Sequence, residues 1–282
     1  MKKGLFITSP YILWMIIFIV APLLLVLYYS FMAETAGFGS PLAFSLENYR
    51  LSFDQMYLRI ILRSINFALV CTAICFVIGY PAAYIIASKN FSNKNTIFFL
   101  LIVPMWMNFL LRTYGWVNIL EPNGILNNIL RFIGLGRFAQ GSILFTERAV
   151  ILGMVYNFLP FMILPIYTVL AKIDESLVEA AQDLGANSGN VFMRVIFPLS
   201  IPGVISGITM VFIPSVTTFI IPSILGGGMI LIGNLIEREI LIKNNWNFAS
   251  ALSIILMTII LITMGIFQLV DKDGTESGGR LL

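Results

Sequence analysis

The chain has 282 residues, of which 59% are hydrophobic and 11% charged, and its mean hydropathy is +0.93. A soluble globular domain carries roughly 25% charged residues, so this composition excludes one and indicates an integral membrane protein. Histidine is absent, which excludes a Ser-His-Asp triad, a Cys-His pair and a His-ligated zinc site. The net charge of +3 comes without a basic run interleaved with aromatic residues, so nucleic acid is not expected as a partner.

Six stretches free of Asp, Glu, Lys and Arg predict membrane-spanning helices, each of which needs roughly 20 apolar residues. They cover residues 11–31, 64–87, 97–111, 149–171, 199–225 and 248–270. The first is too long for the apolar core of a typical signal peptide, so we expect it to remain uncleaved. We predict an all-α membrane protein with one transmembrane domain over 1–270. The polar, glycine-rich tail 271–282 is expected to be disordered or to derive from an expression vector.

Six spans place both termini on one side of the membrane. Six of the seven lysines fall on that side, in short segments near the span ends. Lysine and arginine are enriched in cytoplasmic loops, so we predict cytoplasmic termini. Prolines recur within the spans, which favours a bundle that moves or encloses a path over a simple anchor. Cys71 and Cys75, four residues apart in the second span, are expected to be small buried apolar side chains.

Polar and aromatic residues gather near the ends of the third and fourth spans, on the side away from the termini. Such residues line a path through the bundle or form the interfacial belt in which Trp and Tyr are common. Arg112 is expected in an extension of the third helix, as an interhelical or interfacial anchor. The path candidates are Trp106, Asn108, Tyr114, Trp116, Tyr156 and Asn157.

The connection 172–198, on the side of the termini, predicts a short surface helix. Ser176 and Glu179 fit a capping box that would start it, and Gly185 suits its C-terminal stop. Its apolar stripe consists of Leu177, Ala180, Ala181 and Leu184. A second amphipathic stretch over 191–196 leads to Pro198.

Two roles are open for this surface helix: resting on the bilayer or docking another protein. Glu175, Glu179 and Asp183 would be repelled by an anionic leaflet. Docking is therefore favoured.

On the opposite side, the segment 233–246 predicts a short amphipathic helix at the mouth of the bundle. The glycine run 226–228 before it is expected to form a turn or a hinge. Glu237 and Glu239 would either attract a cationic ligand at the mouth or be solvated members of the helix with a structural role.

The loop 172–198 resembles the EAA loop of ABC importer permeases, through Glu179-Ala180-Ala181, Gly185 and Pro198. In that family the loop forms a coupling helix seated in a cleft of a cytoplasmic ATPase. Val195 and Phe197 stand where the family prefers Ile and Leu, and they keep the apolar character. The resemblance therefore implies ATPase-coupling roles for Glu179, Ala180, Ala181, Asp183, Leu184 and Gly185.

Four further segments are similar to the PotB-type permeases of spermidine/putrescine importers: 101–115, 159–165, 231–235 and 246–251. This resemblance implies a type I (MetI-like) permease fold with six helices in a bacterial inner membrane. It also implies a PotC-like second permease, a PotA-like ATPase dimer and a PotD-like external polyamine-binding protein. The chain departs from the pattern at Ser223, where many such permeases carry an acid.

The resemblance implies polyamine import by alternating access. The chain contains no Gly-x-x-x-x-Gly-Lys-Ser/Thr loop, so ATP and magnesium are expected on the partner ATPase, with no cofactor or enzymatic site here. The predicted spans contain no acid, so contacts to a polycation at membrane depth would be weak. The alternatives are an importer of another small solute, such as ferric ion, and a secondary carrier or channel. The EAA loop argues against a secondary carrier or channel, and so does the lack of an intramembrane acid or histidine for proton coupling.

Overall fold

The computed structural model describes residues 10–33, 44–88, 94–134 and 143–279, and for residues 95, 130 and 268–279 it describes the backbone alone. The described part of the chain is helical, as predicted. Its twelve helices, numbered in chain order, are α1 (Pro10–Ser30), α2 (Glu47–Ser52), α3 (Gln55–Ala87), α4 (Lys94–Trp106), α5 (Phe109–Leu120), α6 (Ile125–Phe132), α7 (Glu147–Leu170), α8 (Glu175–Asp183), α9 (Ser188–Thr217), α10 (Ile220–Leu225), α11 (Ile232–Leu241) and α12 (Trp246–Gly279).

Five of these helices, α1, α3, α7, α9 and α12, are long and apolar enough to cross a membrane. A sixth crossing exists if α4 and the segment from Phe109 onward count as one span, although they are bent by 100°. The number of spans predicted from composition is therefore confirmed with this bent pair included. Helix α12 continues to Gly279, so residues 271–279 are helical where we expected disorder, and 280–282 lie outside the described residues.

The third span is not the continuous helix predicted over 97–111. Helix α4 ends at Trp106 and α5 starts at Phe109. Asn108 between them has the extended ψ of 131°, and its side-chain oxygen accepts the N–H of Leu110 at 2.8 Å. An asparagine cap of this kind satisfies one of the free N–H groups that open a helix. Arg112 consequently lies on α5, beyond the bend.

The fifth span also differs from the prediction of one helix over 199–225. Helix α9 begins earlier, at Ser188, and ends at Thr217. Thr218 takes an extended ψ of 136°, and the separate helix α10 follows. Near its start, α9 contains a π-helical turn, in which the N–H of Phe197 donates to Phe192 O. The stretch predicted to lead to Pro198 is therefore part of this membrane helix.

The chain divides into two compact units. Unit 1 comprises Met1–Leu62 and Ile232–Leu261, and unit 2 comprises Arg63–Leu231 and Ile262–Leu282. In unit 1, the side-chain amide of Asn48 donates to Met32 O at 2.8 Å, and that of Asn247 donates to Ala33 O at 2.9 Å. These bonds attach the starts of α2 and α12 to the end of α1, whose apolar side chains are exposed, as expected for a lipid-facing helix.

In unit 2, α7 and α9 pack side by side along most of their length. A Cβ atom on Gly203 would lie 3.0 Å from Pro165 O, and one on Gly207 would lie 2.9 Å from Met162 Sδ. Small residues four apart allow two membrane helices to approach closely and gain van der Waals contact. The core around this contact contains the buried side chains Cys71, Cys75, Met154, Met162, Ile163, Ile166, Val211, Ile221 and Leu225.

We predict that Gly203→Val destabilises the protein through this contact, because the added side chain meets the backbone of α7. Overpacking of this kind costs about 1–3 kcal/mol. The matched control is Gly265→Val on α12, where an added Cβ has no heavy atom within 4 Å. Thermal unfolding of both variants in detergent micelles compares the same substitution in two helices. Equal losses of stability would contradict the prediction.

Candidate functional site

The N-cap of helix α8 lies two residues before the predicted one, Ser176. It is Asp174, with φ −69° and ψ 129°, and the carboxylate of this residue accepts the N–H of Ser176 at 3.0 Å. The predicted cap at Ser176 is therefore wrong, since Ser176 already lies within the helix. A carboxylate at this end also interacts favourably with the positive end of the helix dipole.

The C-terminal end of α8 matches the prediction for Gly185. This glycine has φ +85°, a conformation in which a Cβ atom is costly. Its N–H donates to Gln182 O at 2.8 Å, and the N–H of Ala186 donates to Ala181 O at 3.0 Å. These two bonds form a Schellman motif. Because Asn187 then caps α9 by accepting the N–H of Asn190, only a short, fully specified turn separates α8 from the membrane helix.

The apolar stripe of α8 faces outward. No residue of α8 is buried, and Leu184, just after it, is 90% exposed. Among the predicted coupling residues, Glu179, Ala180 and Asp183 are exposed and Ala181 is half-buried. A short helix with an exposed stripe of small and aliphatic residues, flanked by carboxylates, is a surface that another protein can cover.

An aromatic cluster, which the sequence analysis did not identify, connects this loop to α3. The ring of Phe192 lies 5.9 Å from that of Tyr80 and 5.4 Å from that of Tyr84. Tyr80 also contacts Phe197 at 5.6 Å, and its hydroxyl is 2.8 Å from Ser200 Oγ. The sequence did contain one indication of this cluster, because Tyr80 and Tyr84 are four residues apart and so lie on one face of a helix. The start of α9 and the end of α3 are therefore joined by packed rings.

The path candidates at the α4–α5 bend have different environments. Trp106 is 77% exposed at the end of α4, and Tyr114 is exposed on α5. Asn108 is the cap described above, which gives it a structural role. Trp116 and Tyr156 meet edge to face, with ring centroids 5.2 Å apart. The structure therefore brings Trp116 and Tyr156 together and leaves Trp106 and Tyr114 on the surface.

Asn157 is buried in α7, with 1% exposure. Its side-chain N–H donates to Gly153 O at 2.8 Å, while its Oδ1 atom has no hydrogen-bond partner among the described residues. A buried acceptor without a donor is costly. Asn157 is thus a buried polar side chain in α7 with one unsatisfied acceptor.

The glycine run 226–228 forms the predicted turn. Gly227 has φ +57°, and a Cβ atom there would lie 2.5 Å from Phe145 Cβ. The N–H of Phe145 donates to Leu225 O at 3.0 Å. The end of α10 is therefore held against the segment that enters α7.

Glu237 and Glu239 lie on α11 in unit 1. This helix covers Ile232–Leu241 and not the whole segment predicted over 233–246, whose last residue, Trp246, begins α12. Both roles left open for Glu239, attracting a cation at the mouth and a solvated structural position, require an exposed carboxylate. Its side chain is instead 1% exposed and accepts a hydrogen bond from the ammonium of Lys243 at 2.6 Å. This hydrogen bond with the carboxylate raises the pKa of Lys243 above its ordinary value. The sequence could not indicate the burial, because a charged residue on an amphipathic helix is normally exposed. Glu237 is half-buried.

Comparisons with known proteins place these features in one family. The family described as "Binding-protein-dependent transport system inner membrane component" matches residues 76–273. The spermidine/putrescine transport system permease protein PotB of Haemophilus influenzae is 39% identical over 92% of this chain and 91% of its own length. PotB of Escherichia coli K12 is 38% identical over 91% of this chain and 92% of its own length.

A solved structure supports the fold. A chain of a bacterial ABC transporter involved in the import of the acidic polysaccharide alginate aligns with a TM-score of 0.78 at 17% identity, over 96% of both chains. This likeness confirms the predicted importer-permease fold, and the apolar helices make the protein a multi-pass membrane protein. The chain belongs to the family of inner-membrane components of binding-protein-dependent transport systems.

Proposed function

We propose that this chain is a permease subunit of an ATP-driven importer of the polyamines spermidine and putrescine. Its similarity to PotB proteins over about nine-tenths of both chains carries the proposal. The chain forms half of the translocation path, beside a PotC-like second permease. An external PotD-like binding protein delivers the cargo. The chain lies in the bacterial inner membrane with cytoplasmic termini.

The exposed helix α8 docks into a PotA-like ATPase dimer on the cytoplasmic side. The ATPase binds ATP and magnesium, and the permease has no ATPase site of its own. Shifting a two-state equilibrium from 1:99 to 99:1 needs about 5.5 kcal/mol of differential binding. That energy comes from closure of the ATPase dimer, because the permease sequence contains no phosphate-binding loop.

Movement at α8 reaches the membrane helices through a turn and two packed contacts. The Schellman turn at Gly185 fixes the angle between α8 and α9. The rings of Phe192 and Tyr80 couple the start of α9 to α3, and the glycine contacts couple α9 to α7. Packed cores move between discrete arrangements instead of deforming continuously, so these helices change orientation together.

The path offers weak, replaceable contacts to a polyamine. The aromatic faces of Trp116 and Tyr156 attract ammonium groups. The unpaired oxygen of Asn157 is buried in this conformation, and it accepts a hydrogen bond from the cargo only when the path opens around α7. Glu237 adds long-range attraction at the outer mouth. A path without a carboxylate in its six predicted spans binds the cargo loosely enough to release it.

The second candidate function is the import of another small solute by the same transporter. It is favoured by Ser223, which stands where many PotB-type permeases carry an acid.

We predict that unlabelled spermidine and putrescine compete with labelled spermidine for uptake by cells that carry the complete transporter. Ferric ion and amino acids at the same concentration serve as controls. Uptake of labelled spermidine equal to that of cells without the permease would contradict polyamine import and favour the second candidate.

Gly185→Ala is predicted to uncouple uptake from ATP hydrolysis. An alanine at φ +85° costs about 1–2 kcal/mol, which is enough to open the turn that orients α8. Gly189→Ala is the matched control on the same loop, because Gly189 has no positive φ and an added Cβ there would make only an ordinary contact, 3.6 Å from Asn187 Oδ1. The ratio of spermidine transported to ATP hydrolysed is measured in proteoliposomes. A wild-type ratio in the Gly185 variant would remove the coupling role of this turn.

Glu237 and Glu239 are predicted to respond differently to replacement by glutamine. Glu237→Gln raises the KM for spermidine uptake by up to about fivefold, since a charge pair at 4 Å in water is worth about 1 kcal/mol. Glu239→Gln breaks the contact with Lys243 and lowers stability by about 1–2 kcal/mol. Uptake kinetics and thermal unfolding are measured on both variants. An unchanged KM in Glu237→Gln would exclude this residue from the path.

A further inference from the structure

Helix α6 exposes its apolar side. Phe132 is 92% exposed, and Ile125, Ile129 and Ile133 are also exposed. Ile125, Ile129 and Phe132 recur at intervals of four and three residues, so they lie on one face of the helix. We call these four residues the α6 stripe. Exposed apolar patches of this kind mark a contact with another protein or with a membrane.

The polar residues of α6 fix its orientation. The fully buried amide of Asn127 donates to Glu121 O at 2.7 Å, and that of Asn128 donates to Asn123 O at 3.1 Å. The guanidinium of Arg131 donates to Pro122 O at 3.4 Å. All three bonds reach back to the turn before the helix. Asn127 therefore faces the protein, Asn128 and Arg131 remain exposed while bonded to the turn, and the apolar stripe faces outward.

The position of α6 in the chain places it at the end of the bent membrane pair. The second half of that pair runs from Phe109 to Ile129, so it contains α5 and the start of α6, which only the four residues 121–124 separate. Four residues reach at most about 14 Å, and the turn is tighter still. A Cβ atom on Gly124 would lie 2.5 Å from Ile119 O, so the chain folds directly back on the end of α5.

Charge indicates which surface covers the stripe. The sequence from 122 to 146 contains Arg131 and Arg137 and no acidic residue. A short basic segment with an aromatic and aliphatic face is attracted to anionic lipid phosphates while its apolar face enters the acyl boundary.

We propose that α6 is an interfacial helix whose stripe is inserted into the lipid bilayer, where it anchors the bent pair α4–α5. The bonds from Asn127 and Arg131 to the turn after α5 make the helix a rigid extension of that span. The stripe contacts the boundary between the headgroups and the acyl chains of an anionic membrane.

Fluorescence quenching tests this proposal on the transporter purified as a complex with its partner subunits. Single cysteines at Ile129 and Phe132 are labelled with bimane in nanodiscs that contain 30% phosphatidylglycerol. The control site is Asn123, an exposed polar residue in the adjacent turn. The complex without an added cysteine corrects for labelling of the buried Cys71 and Cys75. Each sample is titrated with lipid carrying a shallow nitroxide and, separately, with aqueous iodide.

The nitroxide lipid is expected to quench the labels at 129 and 132 at least about twofold more than the label at 123, because an interfacial helix sinks its apolar face by about 5–10 Å. Iodide is expected to show the opposite order. Strong iodide quenching at 129 and 132 would overturn the proposal by showing an aqueous surface. Protection from both quenchers would overturn it by showing that a protein subunit covers the stripe.

Discussion

The close approach of α7 and α9 is the contact on which the remainder of unit 2 depends. It exists because Gly203 and Gly207 present no side chain to Pro165 and Met162. Lipid tails are as apolar as leucine, so membrane helices associate through packing and not through the hydrophobic effect. Helix α9 carries the surface loop at its start and α10 beyond its end. Its contact with α7 therefore sets the position of both functional ends.

The ends of α9 differ in stiffness, and this difference suits the proposed coupling. At its start, the asparagine cap, the π-helical turn and the rings of Phe192 and Tyr80 leave little freedom. At its end, Thr218 interrupts the helix, and α10 is attached through Leu225 and Phe145. A displacement applied at the stiff end is passed along the helix. The interruption allows the far end to change direction.

Composition predicted the spans, because a run of apolar residues is enough to mark a membrane helix. Local spacing predicted the helix end at Gly185, because a helix stop depends on a few neighbouring residues. The breaks at Asn108 and Thr218 were missed, since hydropathy does not report a backbone that turns extended within an apolar run. The cap at Asp174 was missed because Ser176 offered an equally good pattern. The burial of Glu239 was missed because the amphipathic pattern of α11 predicts an exposed charge at this position.

The two broken spans meet in one part of unit 2. Helices α5 and α10, each of which follows a break, contact one another. Helix α7 approaches α10 closely at Gly153, where a Cβ would lie 2.5 Å from the side chain of Leu225. Non-helical backbone within a membrane is tolerated where protein or a water-filled cavity satisfies its polar groups. Asn157 lies one turn beyond Gly153 with a buried, unpaired oxygen, so this part of unit 2 holds a neutral acceptor for the proposed path. Neutral acceptors suit a polycation that must leave again, because a buried carboxylate would hold it far more strongly.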